Sequence, residues 1–160
     1  MEEARGFLTR MGDQLTEQHS SVHPVRFPKD LFKQIKNSEV ESKLVFIRDS
    51  LQLIFCLYRH DNLSAAPWGA DKTEGFLTVI HRQITELSAC VSTNSPANSR
   101  LRSYYRTLAN STLSCSGCST ASWQLLRNQT ELRLEQLELL VASICCQQEA
   151  LCSNATATQH

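Results

Sequence analysis

The chain has 160 residues, with 16 Lys plus Arg against 16 Asp plus Glu, and therefore no formal net charge. That balance excludes a general polyanion binder, which needs a basic excess, and the length suits one domain that buries well over half of its chain surface. No apolar run approaches the ~20 residues of a membrane span, and neither alternating strand patterns nor internal repeats occur, so the sequence predicts a single all-α domain over 1–160.

The first helix is expected over Glu2 to Gln18, with Leu8, Met11 and Leu15 on one stripe and Phe7 beside it. From His19 to Asn37 the helical period lapses, and Pro24 and Pro28 bias the residues before them toward extended backbone. This stretch carries Val25, Phe27, Leu31 and Phe32, so it is expected to pack along the other helices as a long first crossover loop. Such a crossover lets two successive helices run parallel, as in up-up-down-down bundles. A second helix is expected over Ser38 to His60, with Leu44, Ile47, Leu51, Ile54 and Tyr58 inward and Ser38–Glu41 spaced as a capping box. A turn-rich break follows from Asp61 to Gly69. The third helix is expected over Asp71 to Val91 and the fourth over Arg100 to Leu113, joined by a loop containing Pro96.

The dominant element is a fifth helix over Ala121 to Gln148, free of Pro and Gly and rich in good helix formers. Trp123, Leu126, Thr130, Leu134, Leu137, Val141 and Ile144 form its core stripe, while Leu125, Leu132 and Leu139 suggest a second packed face. Thr120 and Ser122 offer N-cap oxygens. A helix this long does not stand alone in water, so it is expected to be the central stave of a bundle. Residues 149–160 read as a flexible polar tail.

Chemistry is sparse. There is no Gly-rich phosphate loop, H-E-x-x-H or G-x-S-x-G, and the five His are scattered, so no enzyme, cofactor or metal site is expected. Seven cysteines include Cys115-Ser-Gly-Cys118, read as a loop disulfide or free thiols, and Cys90 at a helix end, where a bridge would pin the bundle. Cys56 reads as a small half-buried apolar residue. The reading from another class is a cytosolic Cys-rich metal or redox protein using Cys115 and Cys118 with Cys145 and Cys146. Sequons at Asn62, Asn110, Asn128 and Asn154 in a Cys-rich chain suggest a secretory glycoprotein. The acidic opening Met1-Glu2-Glu3 is not followed by an apolar core, so the expectation is a mature or truncated product, or a variant that stays inside the cell.

Several stretches in order resemble the type I interferons, most closely the fish-type branch. They are Phe27-Pro28, Glu39 through Leu51 (EVESKLVFIRDSL), Leu57 through Leu63 (LYRHDNL), Asp71-Lys72-Thr73-Glu74, Leu87 through Val91 (LSACV), and Tyr104-Tyr105-Arg106-Thr107-Leu108 ahead of Ala121-Ser122-Trp123. The resemblance implies a secreted, monomeric helical cytokine bundle that bridges a heterodimeric class II cytokine receptor and induces interferon-stimulated genes through JAK-STAT signalling. It implies neither nucleic-acid binding nor membrane insertion. It assigns one receptor chain to the first helix, the first loop and the last helix, which nominates Arg26, Phe27, Lys29, Leu31, Arg127 and Arg133. It assigns the other chain to the second, third and fourth helices, which nominates Glu41, Arg48, Lys72 and Arg82. Family members have a longer first helix and an N-terminal cysteine that clamps the position of Cys90; four-cysteine members also join the first loop to a cysteine ahead of the last helix. This loop has no cysteine, which leaves Cys115 and Cys118 unmatched. A signal-less intracellular form, or a decoy that binds one receptor chain, is the alternative within the family.

Overall fold

A computed structural model describes residues 2–12, 25–91, 96–114 and 119–158, with side chains described for 3–10, 25–91, 96–114 and 119–145. Among these residues there are six α-helices and no strand: α1 (Glu2–Gly12), α2 (Lys29–Lys36), α3 (Val40–Tyr58), α4 (Ala70–Ser88), α5 (Ser99–Thr112) and α6 (Thr120–Thr158), with a 3-10 turn at Asp61–Ala65. The helices pack on one another as a single bundle.

Paired residues give the topology. Lys43 Nζ donates to Ser143 Oγ at 2.6 Å and Tyr58 Oη to Thr130 Oγ1 at 2.9 Å, so α3 and α6 are antiparallel. The Phe55–His81 and Tyr58–Phe76 ring pairs make α4 antiparallel to α3. The Arg82–Glu3 ion pair and the seating of Phe7 against Gly75 make α1 antiparallel to α4. Thus α1 and α3 point one way and α4 and α6 the other, up-up-down-down, with α5 returning the chain between the last two.

The core stripe of α6 is mostly as expected: Trp123, Leu126, Thr130, Leu134, Leu137 and Ile144 are buried. Two expectations are corrected. Leu140 is fully buried while Val141 is 39 % exposed, and Leu132 and Leu139 are 45 % and 59 % exposed. Of the expected second face only Leu125 is partly buried against the core, so the packing of α1, α3 and α5 on α6 leaves Leu132 and Leu139 uncovered. The helical backbone also continues past Gln148 to Thr158.

The crossover differs from the expected loop, because Lys29–Lys36 is helical. Pro28 supplies an extended N-cap, and Leu31 and Ile35, four apart, turn one apolar edge toward α3. The expected capping box is absent: Glu39 is the N-cap of α3 without a side-chain bond, and Ser38 Oγ instead donates to the Ile35 carbonyl at 2.6 Å, closing α2. In front of α6 the capping oxygen is Ser119 Oγ, which accepts from the Ser122 N–H at 3.2 Å, rather than Thr120 or Ser122.

Two glycines are required by α4. Gly69, at its N-cap, has φ +90°, a region that L side chains avoid. Gly75 is the notch that receives the Phe7 ring, and a methyl group there would overlap it. At the entry to α4, Trp68 and Trp123 meet edge to face at 5.4 Å, and Trp68 Nε1 donates to Thr73 Oγ1 at 2.8 Å. Trp123 is therefore a core residue, as expected from its helical position.

Candidate functional site: the crossover face of the last helix

The crossover reaches α6 through one stack. The Phe27 ring meets Tyr104 edge to face at 5.1 Å, and the Arg133 guanidinium carbon lies 4.1 Å from the Phe27 centroid and 5.3 Å from that of Tyr104. A guanidinium over two rings gains quadrupole attraction, and its long stem covers apolar surface. Arg133 is only 8 % exposed as a result, and its Nε and Nη1 have no hydrogen-bond partner. Tyr104 Oη donates to Gln129 Oε1 at 2.7 Å, which ties α5 to α6 one turn before Arg133. Burial pushes the Tyr104 phenol up to about 12, against the opposing pull of Arg133.

Beside this stack lies a cavity of about 490 Å³, lined by Val25, Arg26, Phe27, Lys29, Asp30, Gln129 and Arg133. Arg26 and Lys29 are exposed at its rim. With Arg133 they present three cationic side chains, of which only Asp30 among the lining residues is an acidic counterpart. Arg133 Nε and Nη1 are shielded from solvent, so the exposed Arg26 and Lys29 are the cations that a docking carboxylate would meet.

The residues nominated from sequence divide. Arg26, Phe27, Lys29 and Arg133 come together. Leu31 does not: at 3 % exposure it belongs to the core edge of α2. Arg127 is partly engaged, bonding Glu131 at 3.0 Å and Asn128 Oδ1 at 2.8 Å. Gln129 and Tyr104 were not nominated, although Gln129 stands four residues before Arg133 and thus on the same helix face. Arg133 and Phe27 also prove to be packing groups rather than freely exposed anchors.

On the opposite side the nominated residues are dispersed. Glu41 is exposed at the start of α3, whereas Lys72 lies at the start of the antiparallel α4 and hence at the other end of the bundle. Arg82 is exposed and paired with Glu3. Arg48 is buried against Asp49, Nη2 to Oδ1 at 3.0 Å, and cannot act as a surface contact. Burial raises the Asp49 carboxyl above its ordinary value, with Arg48 opposing the shift.

Cys56, Cys90 and Cys145 are free and exposed, so Cys56 is not the half-buried apolar residue expected. Cys115 and Cys118 lie outside the described residues, as do the side chains of Cys146 and Asn154. Asn110 and Asn128 are exposed, while the Asn62 amide donates to the Leu113 carbonyl and so holds the end of α5. Among the described residues no group of His, Cys, Asp and Glu is arranged to hold a metal ion, and no helix is long and apolar enough to cross a membrane.

An up-up-down-down bundle with a helix-bearing crossover laid over its longest stave is a helical cytokine. The chain belongs to the interferon alpha/beta family, whose domain matches residues 2–144, and with it to the type I interferons, a family of non-enzymatic cytokines. It is 29 % identical over 137 residues to interferon a3 of Oncorhynchus mykiss, covering 86 % of this chain and 76 % of that protein. The fold superposes on zebrafish interferon 1 with a TM-score of 0.69 at 19 % identity, over 89 % of this chain and 94 % of that one.

Proposed function

We propose that the chain is a secreted, monomeric antiviral cytokine that bridges a heterodimeric class II cytokine receptor and induces interferon-stimulated genes through JAK-STAT signalling. The observation that carries this reading is the cationic notch of Arg26, Lys29 and Arg133, whose lining holds a single acidic residue, Asp30. One receptor chain docks an acidic side chain in the notch against the exposed Arg26 and Lys29, with the Arg133 charge beneath them adding to the attraction. The second chain binds the α3–α4–α5 side, where Glu41, Lys72 and Arg82 are accessible and Arg48 acts only through packing. Of the described sequons, Asn110 is the acceptor whose modification disturbs least, since it is exposed on the last turn of α5.

Purified protein added outside cells that carry an interferon-responsive reporter tests the reading. Wild type is expected to induce the reporter and the double charge reversal Arg26→Glu/Lys29→Glu to lose most of that response. Equal induction by both proteins, or induction only when the chain is expressed inside the cell, contradicts it.

A further inference from the structure

A groove between α3 and α5 encloses about 280 Å³. The buried Leu57 and Tyr105 belong to its floor, and its rim carries Cys56, His60, Arg102 and Arg106. No acidic residue lines it. The imbalance is written in the chain: from Leu87 to Thr130 there are Arg100, Arg102, Arg106 and Arg127 but no Asp or Glu. Arg102 and Arg106 stand one turn apart on α5, both exposed, and neither has an ionic partner among the described residues. Like charges at that spacing repel on a helix, so an anion held between them relieves the repulsion. His60 Nδ1 accepts from the Asn62 N–H at 3.1 Å, which leaves the proton of the neutral ring on Nε2 as a further donor. The three described free cysteines differ in setting. Cys56 sits among these cations, Cys90 shares its groove with Glu86 and Glu138, and Cys145 is exposed on α6.

We propose that this groove binds an anionic small-molecule disulfide and that Cys56 is thereby S-glutathionylated. Each half of glutathione disulfide carries two carboxylates and one ammonium, so the reagent is a net anion whose carboxylates answer Arg102 and Arg106. The step is thiol–disulfide exchange. The Cys56 thiol gives its proton to water, and its sulfur attacks one sulfur of the reagent. A Cys56 Sγ–S bond forms, the S–S bond of the reagent breaks, and one glutathione leaves as a thiolate with the bonding pair. The reagent is itself the oxidant, and a thiol reductant reverses the modification. All three described thiols are exposed, so charge rather than access selects Cys56. The site does not depend on receptor docking at the crossover notch.

Three disulfides of different charge test the assignment on the full chain: glutathione disulfide, the cationic cystamine and the neutral bis(2-hydroxyethyl) disulfide. Reactions are stopped early with acid, and each cysteine is read by peptide mass spectrometry. Dividing every rate by that of the neutral reagent removes differences in access and in thiolate fraction between the cysteines. On that scale glutathione disulfide is expected to modify Cys56 about tenfold faster than Cys90 or Cys145, and cystamine to show no such preference for Cys56. The double reversal Arg102→Glu/Arg106→Glu is expected to erase the preference while leaving the reaction of Cys56 with the neutral reagent unchanged, which shows that the groove is intact. Raising the salt to about 0.5 M is expected to erase it in the unaltered chain as well, with no substitution to disturb the fold. Equal selectivity at all three cysteines, no glutathione adduct at Cys56, or a preference that survives both the reversal and the salt overturns the assignment.

Discussion

The two sides of the bundle use charge differently. On the crossover side, Arg133 is driven under Phe27 by stacking, and Arg26 and Lys29 remain exposed around a cavity, so three cations from separated parts of the sequence converge. On the α3–α4 side, the antiparallel pairing carries Glu41 and Lys72 to opposite ends, Arg82 is taken up by Glu3, and Arg48 is buried against Asp49. A surface becomes a docking site through convergence, and a count of exposed charges does not reveal it.

The largest effect is expected at Arg133. Arg133→Ala removes the guanidinium that lies over two rings and leaves Phe27 loosely held. It should lower unfolding stability by about 2 kcal/mol and cut reporter potency by more than about tenfold. Denaturant midpoints beside dose–response curves separate the two losses. A potent but unstable variant would make the stack purely architectural.

Gly75→Ala sharpens the contrast between packing and docking. In an isolated helix the change would gain about 1 kcal/mol. Against the Phe7 ring it should instead cost about 1–3 kcal/mol, and Phe7→Leu in the same chain should recover part of that. Stabilisation by Gly75→Ala alone would mean that α1 does not pack there.

A smaller effect is expected on the dispersed side. Lys72→Glu should change reporter potency by less than about threefold and leave the melting temperature unmoved, as for a single partly exposed charge. A loss as large as that of the notch reversal would relocate the principal contact.

The three tyrosines test burial without any substitution. Tyr104 is raised to about 12 from an ordinary 10.0, and Tyr58 and Tyr105 are raised further, in each case chiefly by burial. A raised phenol stabilises the fold fully below pH 10 and withdraws that support as pH climbs through the folded value. Tyrosinate absorbance should therefore appear only near pH 12 and together with loss of helical ellipticity. A tyrosine that titrates near 10 in folded protein contradicts the packing described for it.

Much of the fold was legible because α3, α4 and α6 are long and strongly periodic, and Trp123, Leu126, Leu134 and Leu137 fall where spacing puts them. The Leu140 for Val141 exchange was not legible, since adjacent positions on a helix differ by a rotation that only the neighbouring helices resolve. Helix α2 escaped because eight residues after two prolines carry too few periods, although Leu31 and Ile35 hold the signal. The notch was half legible. Arg26, Phe27, Lys29 and Arg133 were nominated by resemblance, but an arginine reads as solvated in sequence, and only the stack with Phe27 and Tyr104 explains why Arg133 is buried.

The central claim is that the crossover notch docks an acidic partner group. Its most direct measurement is cell-surface binding of wild type and Arg26→Glu/Lys29→Glu as salt is raised. Wild-type affinity is expected to fall with ionic strength, while the reversed variant binds at least about tenfold more weakly at low salt and shows little further decline. Equal affinities with the same salt response would contradict the account.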